Sequence, residues 1–307
     1  MRNAFAQEIT RLAKLDPRII LLSGDIGNRL FDSLKAQSNG RQFINCGIAE
    51  ANMMSVAAGL GMSGAKPVIY TITPFTTIRC LEQIKIGLAY HESPVVIIGT
   101  GSGLSYASLG PTHHSLEDFA VIQSIPNMTI LAPWDPNSVK QMLKEALELK
   151  TPTYIRIGKK GEPDLCLPSE IPKIGNILNI KKGYKTCILA VGTIASEAVR
   201  ASELLERENI SVGLSLCHTI KPFPAKHIRS LCSSYDNIFV VEEHSKIGGF
   251  GSCVVNFVNL KNLETKVYSI GTEDNFLSKI GSQSYARREY EIDYKSIVEE
   301  IKKCSPA

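Results

Sequence analysis

The strongest constraint on this chain is an alternation that repeats along it. Short apolar runs at residues 19–22, 67–72, 94–98 and 128–131 are separated by stretches with helical patterning at 49–62, 75–90, 115–124 and 137–149. Apolar runs this short and this uniformly apolar read as strands buried on both faces, and the stretches between them are long enough to cross over as helices. The implied fold class is α/β, built as two three-layer domains with mainly parallel sheets. Asp135-Pro136-Asn137 marks a helix start, with an Asx residue and a proline at the entrance, and residues 153–157 close the first series as a strand. Turn-rich sequence then interrupts the pattern between about 159 and 185. A second series follows, with strands at 187–191, 212–216, 238–241 and 266–270 and helices at 195–208, 225–234 and 251–258. A last, charged helix at 285–303 is expected on the surface. The domains are therefore expected at 1–165 and 185–307, with a linker at 166–184.

Composition excludes several function classes. The net charge of +4 over 307 residues is small and scattered, which gives no reason to expect nucleic acid or membrane lipid as a partner. Lys159-Lys160 reads as a solvated loop. No run approaches the ~20 apolar residues that span a bilayer, and the first residues show no signal-peptide pattern. Eight cysteines at 46, 80, 166, 187, 217, 232, 253 and 304 form no Cys-x-x-Cys pair and no Cys/His spacing suited to zinc. They read as small buried hydrophobes in a reducing compartment, so a cytoplasmic protein without a metal site of its own is expected.

One carboxylate stands out. Glu50 follows a short strand and Gly47 and opens a helix whose next turns, Met53, Met54, Val56, Ala57, Ala58 and Leu60, carry hardly a charge. An unpaired buried charge costs several kcal/mol, so Glu50 should have a partner. On the residues alone two readings stay open: it caps its own helix, or it holds a ligand. His113 and Asp25 are similarly open. An isolated histidine is more often a surface or core residue than a proton carrier. An aspartate at a strand end can be a turn former or line a ligand crevice.

The surrounding blocks resemble the transketolase-like, thiamine-diphosphate-dependent enzymes. Gly47-Ile48-Ala49-Glu50, Ala57-Ala58-Gly59-Leu60, Lys66-Pro67-Val68, Phe75 with Arg79-Cys80-Leu81-Glu82-Gln83-Ile84, and Gly110-Pro111-Thr112-His113 look like the pyrimidine-binding domain. Thr219-Ile220-Lys221-Pro222, Val241-Glu242-Glu243-His244 and Gly248-Gly249-Phe250-Gly251 look like the C-terminal domain. The resemblance implies that Glu50 hydrogen-bonds the aminopyrimidine of thiamine diphosphate and activates the cofactor, which carries the hard chemistry. It further implies that Phe75 stacks on that ring, that Asp25 and Arg79 lie close to the cofactor, and that His113 contacts substrate near the reacting carbons. Arg156 and Lys159 resemble phosphate ligands. The implied reaction moves a two-carbon ketol unit from a ketose to an aldose.

Three departures sharpen this expectation. Leu109 stands where an aspartate usually reads a sugar hydroxyl, which suggests a different or less hydroxylated substrate. The loop Gly99-Thr100-Gly101-Ser102-Gly103 lacks the family's basic residue, and with Leu104 at the third glycine position it is an incomplete dinucleotide motif. The family's Gly-Asp-Gly motif for diphosphate and metal is absent; Ser23-Gly24-Asp25-Ile26-Gly27-Asn28 echoes it with the wrong spacing. The chain thus resembles the C-terminal subunit of a split transketolase. An N-terminal partner subunit would supply Mg2+ or a similar ion, in an α2β2 heterotetramer with dimerising β chains, acting on sugars or sugar phosphates. The alternatives are a subunit of a deoxyxylulose-phosphate synthase-like or oxo-acid dehydrogenase-like thiamine enzyme, and a non-catalytic assembly subunit.

Overall fold

The fold is seen in a computed structural model that describes every residue except 28, 160, 166–170 and 305–307. Asn28, Lys160, Cys166 and the first part of the expected linker lie outside the described residues. Two mostly parallel sheets with helices on their faces confirm the α/β class.

The first sheet contains β1 (Ile19–Ser23), β2 (Phe43–Asn45), β3 (Lys66–Ile72), β4 (Val96–Thr100), β5 (Thr129–Leu131) and β6 (Thr153–Ile157). The second contains β7 (Ile177–Lys181), β8 (Thr186–Val191), β9 (Gly213–Cys217), β11 (Asn237–Ser245) and β12 (Lys266–Thr272). The remaining strand, β10 (Thr219–Lys221), comes from the second half of the chain but pairs antiparallel with β5, so the first sheet runs β10-β5-β6-β4-β3-β1-β2. The second runs β12-β11-β8-β9-β7. The central strands β4, β6 and β8 are buried along their whole length, as continuous apolar runs require.

Helix Pro136–Ala146 starts as its sequence predicts. Asp135 Oδ1 accepts from Ser138 N at 2.8 Å and Ser138 Oγ accepts from Asp135 N at 2.9 Å, a reciprocal cap behind Pro136.

Four local expectations need correction. The stretch 75–90 is a broken helical run: a turn at Thr73–Thr76, a 3-10 turn at Ile78–Cys80, Leu81–Gln83, and a π-helical segment Ile84–Tyr90. The Thr76 and Thr77 hydroxyls both donate to Thr73 O, at 2.9 and 2.8 Å, and Thr77 leaves the helical region at φ −113°, ψ −88°. The stretch 166–184 reads as linker in the sequence, yet Ile177–Lys181 forms an antiparallel edge strand on β9. The helix at 285–303 divides into Gln283–Glu289 and Tyr294–Cys304 around Glu291, at φ 54°. It also buries Ile297, Val298 and Ile301, so one face packs inward. Strand β10 is not anticipated by the sequence as part of the first sheet.

No described helix is long and apolar enough to cross a membrane. The described cysteines are free thiols.

Candidate active site

The parallel strands of the first sheet deliver their C-terminal ends to one edge, where open α/β sheets place ligands. Asp25 follows β1, Glu50 follows β2, Phe75 follows β3, the loop to His113 follows β4, and Lys159 follows β6.

Glu50 is the first residue of helix Glu50–Met62 and is buried, with 4% of it exposed. Arg79 Nη1 donates to Glu50 Oε2 at 3.0 Å; Oε1 accepts no hydrogen bond from the described residues. The same guanidinium lies over the Phe75 ring, 4.0 Å from its centroid. Phe75 meets His113 edge-on at 5.4 Å between centroids. His113 in turn approaches Tyr106 at 6.0 Å, and Lys159 Nζ lies 4.4 Å from the Tyr106 centroid. Glu50, Arg79, Phe75, His113, Tyr106 and Lys159 thus form one continuous surface.

His113 Nδ1 is paired with Thr112 Oγ1 at 2.9 Å. Partial burial, followed by the positive charges of Arg79 and Lys159, pushes its pKa below the ordinary value. It is therefore mostly neutral at pH 7 and able to accept a proton. His114 faces the protein interior and is 6% exposed, so the two histidines diverge.

Other expected residues stand apart from this surface. Asp25 is exposed, adopts φ 57°, and accepts from Asn45 Nδ2 at 2.9 Å. Its neighbour Gly24 touches the Glu50 side: an added Cβ would lie 3.5 Å from Glu50 Cγ. Leu109 is 48% exposed on the rim of the His113 loop. Arg156 does not join the group. It is 4% exposed, donates to Asp118 Oδ1 at 2.9 Å and to the Glu243 carbonyl, and covers the Phe119 ring. Those bonds engage it within the core, apart from Lys159.

Tyr106 is not singled out by the sequence. The available signal was Gly101, which at φ +91° would place a Cβ 2.1 Å from Tyr106 Cδ2. Gly99 is similarly crowded by Tyr154 and Thr73, and Gly103 by Glu243. The glycines that echo a dinucleotide loop are therefore explained by close packing.

The site fits one end of an aminopyrimidine cofactor. It offers a buried carboxylate with one oxygen free of partners among the described residues and a partly buried aromatic ring beside it. Among the described residues no group of three His, Cys, Asp or Glu side chains is arranged to hold a metal.

Comparisons with known proteins agree with this architecture. Residues 1–162 match "Transketolase, pyrimidine binding domain" and residues 175–297 match "Transketolase, C-terminal domain". The chain is 31% identical over 274 residues to one of the subunits of an apulose-4-phosphate transketolase from Phocaeicola vulgatus, covering 89% of this chain and 88% of that one. It is 31% identical over 304 residues to a 1-deoxy-D-xylulose-5-phosphate synthase from Chlorobium phaeovibrioides, covering 98% of this chain but 47% of that one. Among solved structures, a split gene transketolase described as an inactive beta4 tetramer superposes with a TM-score of 0.88 at 27% identity, covering 98% of this chain and 96% of that one. With both of its halves matched in order, this chain belongs to the transketolase family.

Proposed function

We propose that the chain is the C-terminal subunit of a two-component transketolase and that, with an N-terminal subunit, it moves a two-carbon ketol unit from a ketose to an aldose through thiamine diphosphate. The observation that carries this reading is Glu50: a buried carboxylate with one oxygen held by Arg79, the other without a partner among the described residues, and Phe75 and His113 alongside.

In this reading Glu50 shares a proton with the cofactor's ring nitrogen, Phe75 supports the ring face, and Arg79 fixes the carboxylate. When bound, the cofactor supplies the carbon nucleophile that holds the ketol unit. His113, kept mostly neutral, takes and returns a hydroxyl proton of the substrate. Lys159 offers an ammonium to a substrate phosphate, and Leu109 leaves the rim apolar where a hydroxyl contact is usual. Diphosphate and the divalent ion would be held by the partner subunit.

A partner also explains an apolar surface beside the site. Ile48, Val56, Ile78, Ile86 and Tyr90 are 79%, 38%, 53%, 48% and 76% exposed. Helix Glu50–Met62 carries no charge on its outer side, where Asn52, Ser55, Val56, Gly59 and Met62 are exposed, as suits a helix face covered in an assembly. The relative described as an inactive beta4 tetramer fits a chain of this type that needs another for activity.

The test is reconstitution with an N-terminal subunit. Ketol transfer by the mixture, none by either chain alone, and none by a mixture carrying Glu50→Ala is the expected result. Activity of this chain unaided, or full turnover with Glu50→Ala, refutes the reading. Similarity to a deoxyxylulose-phosphate synthase favours a second reading, for which pyruvate consumption with carbon dioxide release is the distinguishing outcome.

A further inference from the structure

The second sheet has a point where its strand order reverses. From β8 the chain moves outward to β9, and from β11 outward to β12 on the opposite side, so strand order reverses between the adjacent β8 and β11. The gap outside the carboxyl ends of the strands at such a point is where open α/β sheets take ligands. Here a segment of the first domain reaches it. Gly103, at φ +53°, lies so close that an added Cβ would be 2.6 Å from Glu243 Cγ.

Glu243 organises this contact. Its carboxylate, 1% exposed, accepts from Arg287 Nε at 3.1 Å, Gln283 Nε2 at 3.0 Å and Thr193 Oγ1 at 3.1 Å. Two of these partners pass the connection on to the first domain: Thr193 to Ser102 at 3.1 Å, and Gln283 to Ser105 at 3.4 Å. The Glu243 carbonyl accepts from Arg156, which holds Asp118 beyond the far end of the same loop. Ser115 N donates to Gly103 O at 3.0 Å and Ser245 N to Leu116 O at 2.8 Å, closing the base. Between these anchors the loop presents Tyr106, Leu109 and His113.

We propose that Glu243 is a positioning residue: held by Arg287, it clamps the base of the loop 102–116 through Thr193 and Gln283, so that the second domain sets where His113 stands in a site built by the first. The catalytic consequence rests on the function proposed above; the clamp itself does not. A purely structural ion pair would stabilise the second domain alone, whereas this network ends on loop residues of the first.

Two variants test it. Glu243→Gln removes the charge facing Arg287 but keeps the shape, and Gln283→Ala cuts the link to Ser105 without burying an unpaired charge. In the isolated chain, amide exchange across 102–116 should quicken about tenfold while helix Glu50–Met62 keeps its protection. In the assembled enzyme kcat should fall about 10- to 100-fold, as a displacement near 1 Å can cost, with cofactor affinity held within about twofold. Exchange that quickens evenly over the whole chain, or a loop as protected as in the wild type, overturns the clamp. So does an unchanged kcat in an assembly whose wild type is active. If Glu243→Gln does not fold, Gln283→Ala decides by the same measures. If the wild-type assembly binds no thiamine diphosphate, the functional reading fails, while exchange in the isolated chain still decides the clamp.

Discussion

Glu50→Gln separates a ligand-holding carboxylate from a structural one. The substitution keeps the volume and one acceptor oxygen but removes the charge. In the free chain that charge has two uses. It pairs with Arg79, whose side chain is 46% exposed, and half-exposed pairs contribute about 0–1 kcal/mol. It also sits at the first turn of a helix, worth roughly 0.3–1 kcal/mol. The folded chain should therefore lose no more than about 2 kcal/mol. A hydrogen bond from a charged ring nitrogen to a buried carboxylate contributes about 1.5–3 kcal/mol, which is roughly 10- to 150-fold in affinity. Loss of general acid–base assistance lowers turnover by roughly 10²- to 10⁴-fold. Urea denaturation of the isolated chain, with calorimetric cofactor titration and ketol transfer in the assembly, reads both quantities. Wild-type affinity and turnover would refute the reasoning. So would a stability loss well beyond about 3 kcal/mol, which would make Glu50 a structural cap.

Three further expectations follow from the same surface, and a fourth from the packing beneath it. Lys159→Ala should raise KM for a phosphorylated substrate by roughly tenfold or more, the worth of one charged hydrogen bond, and leave an unphosphorylated one unchanged; equal effects on both would exclude a phosphate role. Removing that cation should also raise the His113 pKa toward its ordinary value, because Lys159 helps to depress it, and a histidine NMR titration of the isolated chain would show a downward shift or none if the geometry is wrong. Ile78→Asp, at an exposed apolar position, should weaken association in sedimentation experiments without lowering the urea midpoint; an intact assembly would remove Ile78 from the interface. Gly101→Ala combines a left-handed backbone with a Cβ 2.1 Å from the Tyr106 ring, so about 2–5 kcal/mol of stability should go, and a loss below about 1 kcal/mol would contradict the packing.

Much of the fold was legible because burial leaves a period in the sequence. The runs at 19–22, 67–72 and 153–157 correspond to β1, β3 and β6, and the helix at 225–234 to Ala225–Ser234. The break at Thr77 escaped because it depends on two hydroxyls competing for one carbonyl, which apolar periodicity does not report. Strand β7 escaped because it is an edge strand with an exposed Asn179 and lies in turn-rich sequence. In the site, a lone carboxylate opening an apolar helix was readable as unusual. The resemblance pairs Arg156 with Lys159, but a strand sends side chains to alternate faces and Arg156 turns into the core.

The least legible feature was the seam between the domains, and Glu242-Glu243 shows why. Two adjacent carboxylates in a strand look interchangeable in sequence, yet alternation forces them to opposite sides. Glu242 takes the exposed amide groups of Phe250 and Gly251 at the start of helix Phe250–Leu260, at 2.8 and 2.7 Å, so its partners are local. Glu243 faces the other way and must be satisfied across long separations, by Thr193, Gln283 and Arg287. Periodicity states that a side chain is buried but not what it is buried against. A carboxylate pair inside an apolar strand does carry one readable consequence: if one member caps the following helix, the other needs a cation from elsewhere in the chain, because leaving it unpaired would cost several kcal/mol. Arg287 meets that requirement from within the second domain, and it is the neutral partners, Thr193 through Ser102 and Gln283 through Ser105, that reach the loop of His113.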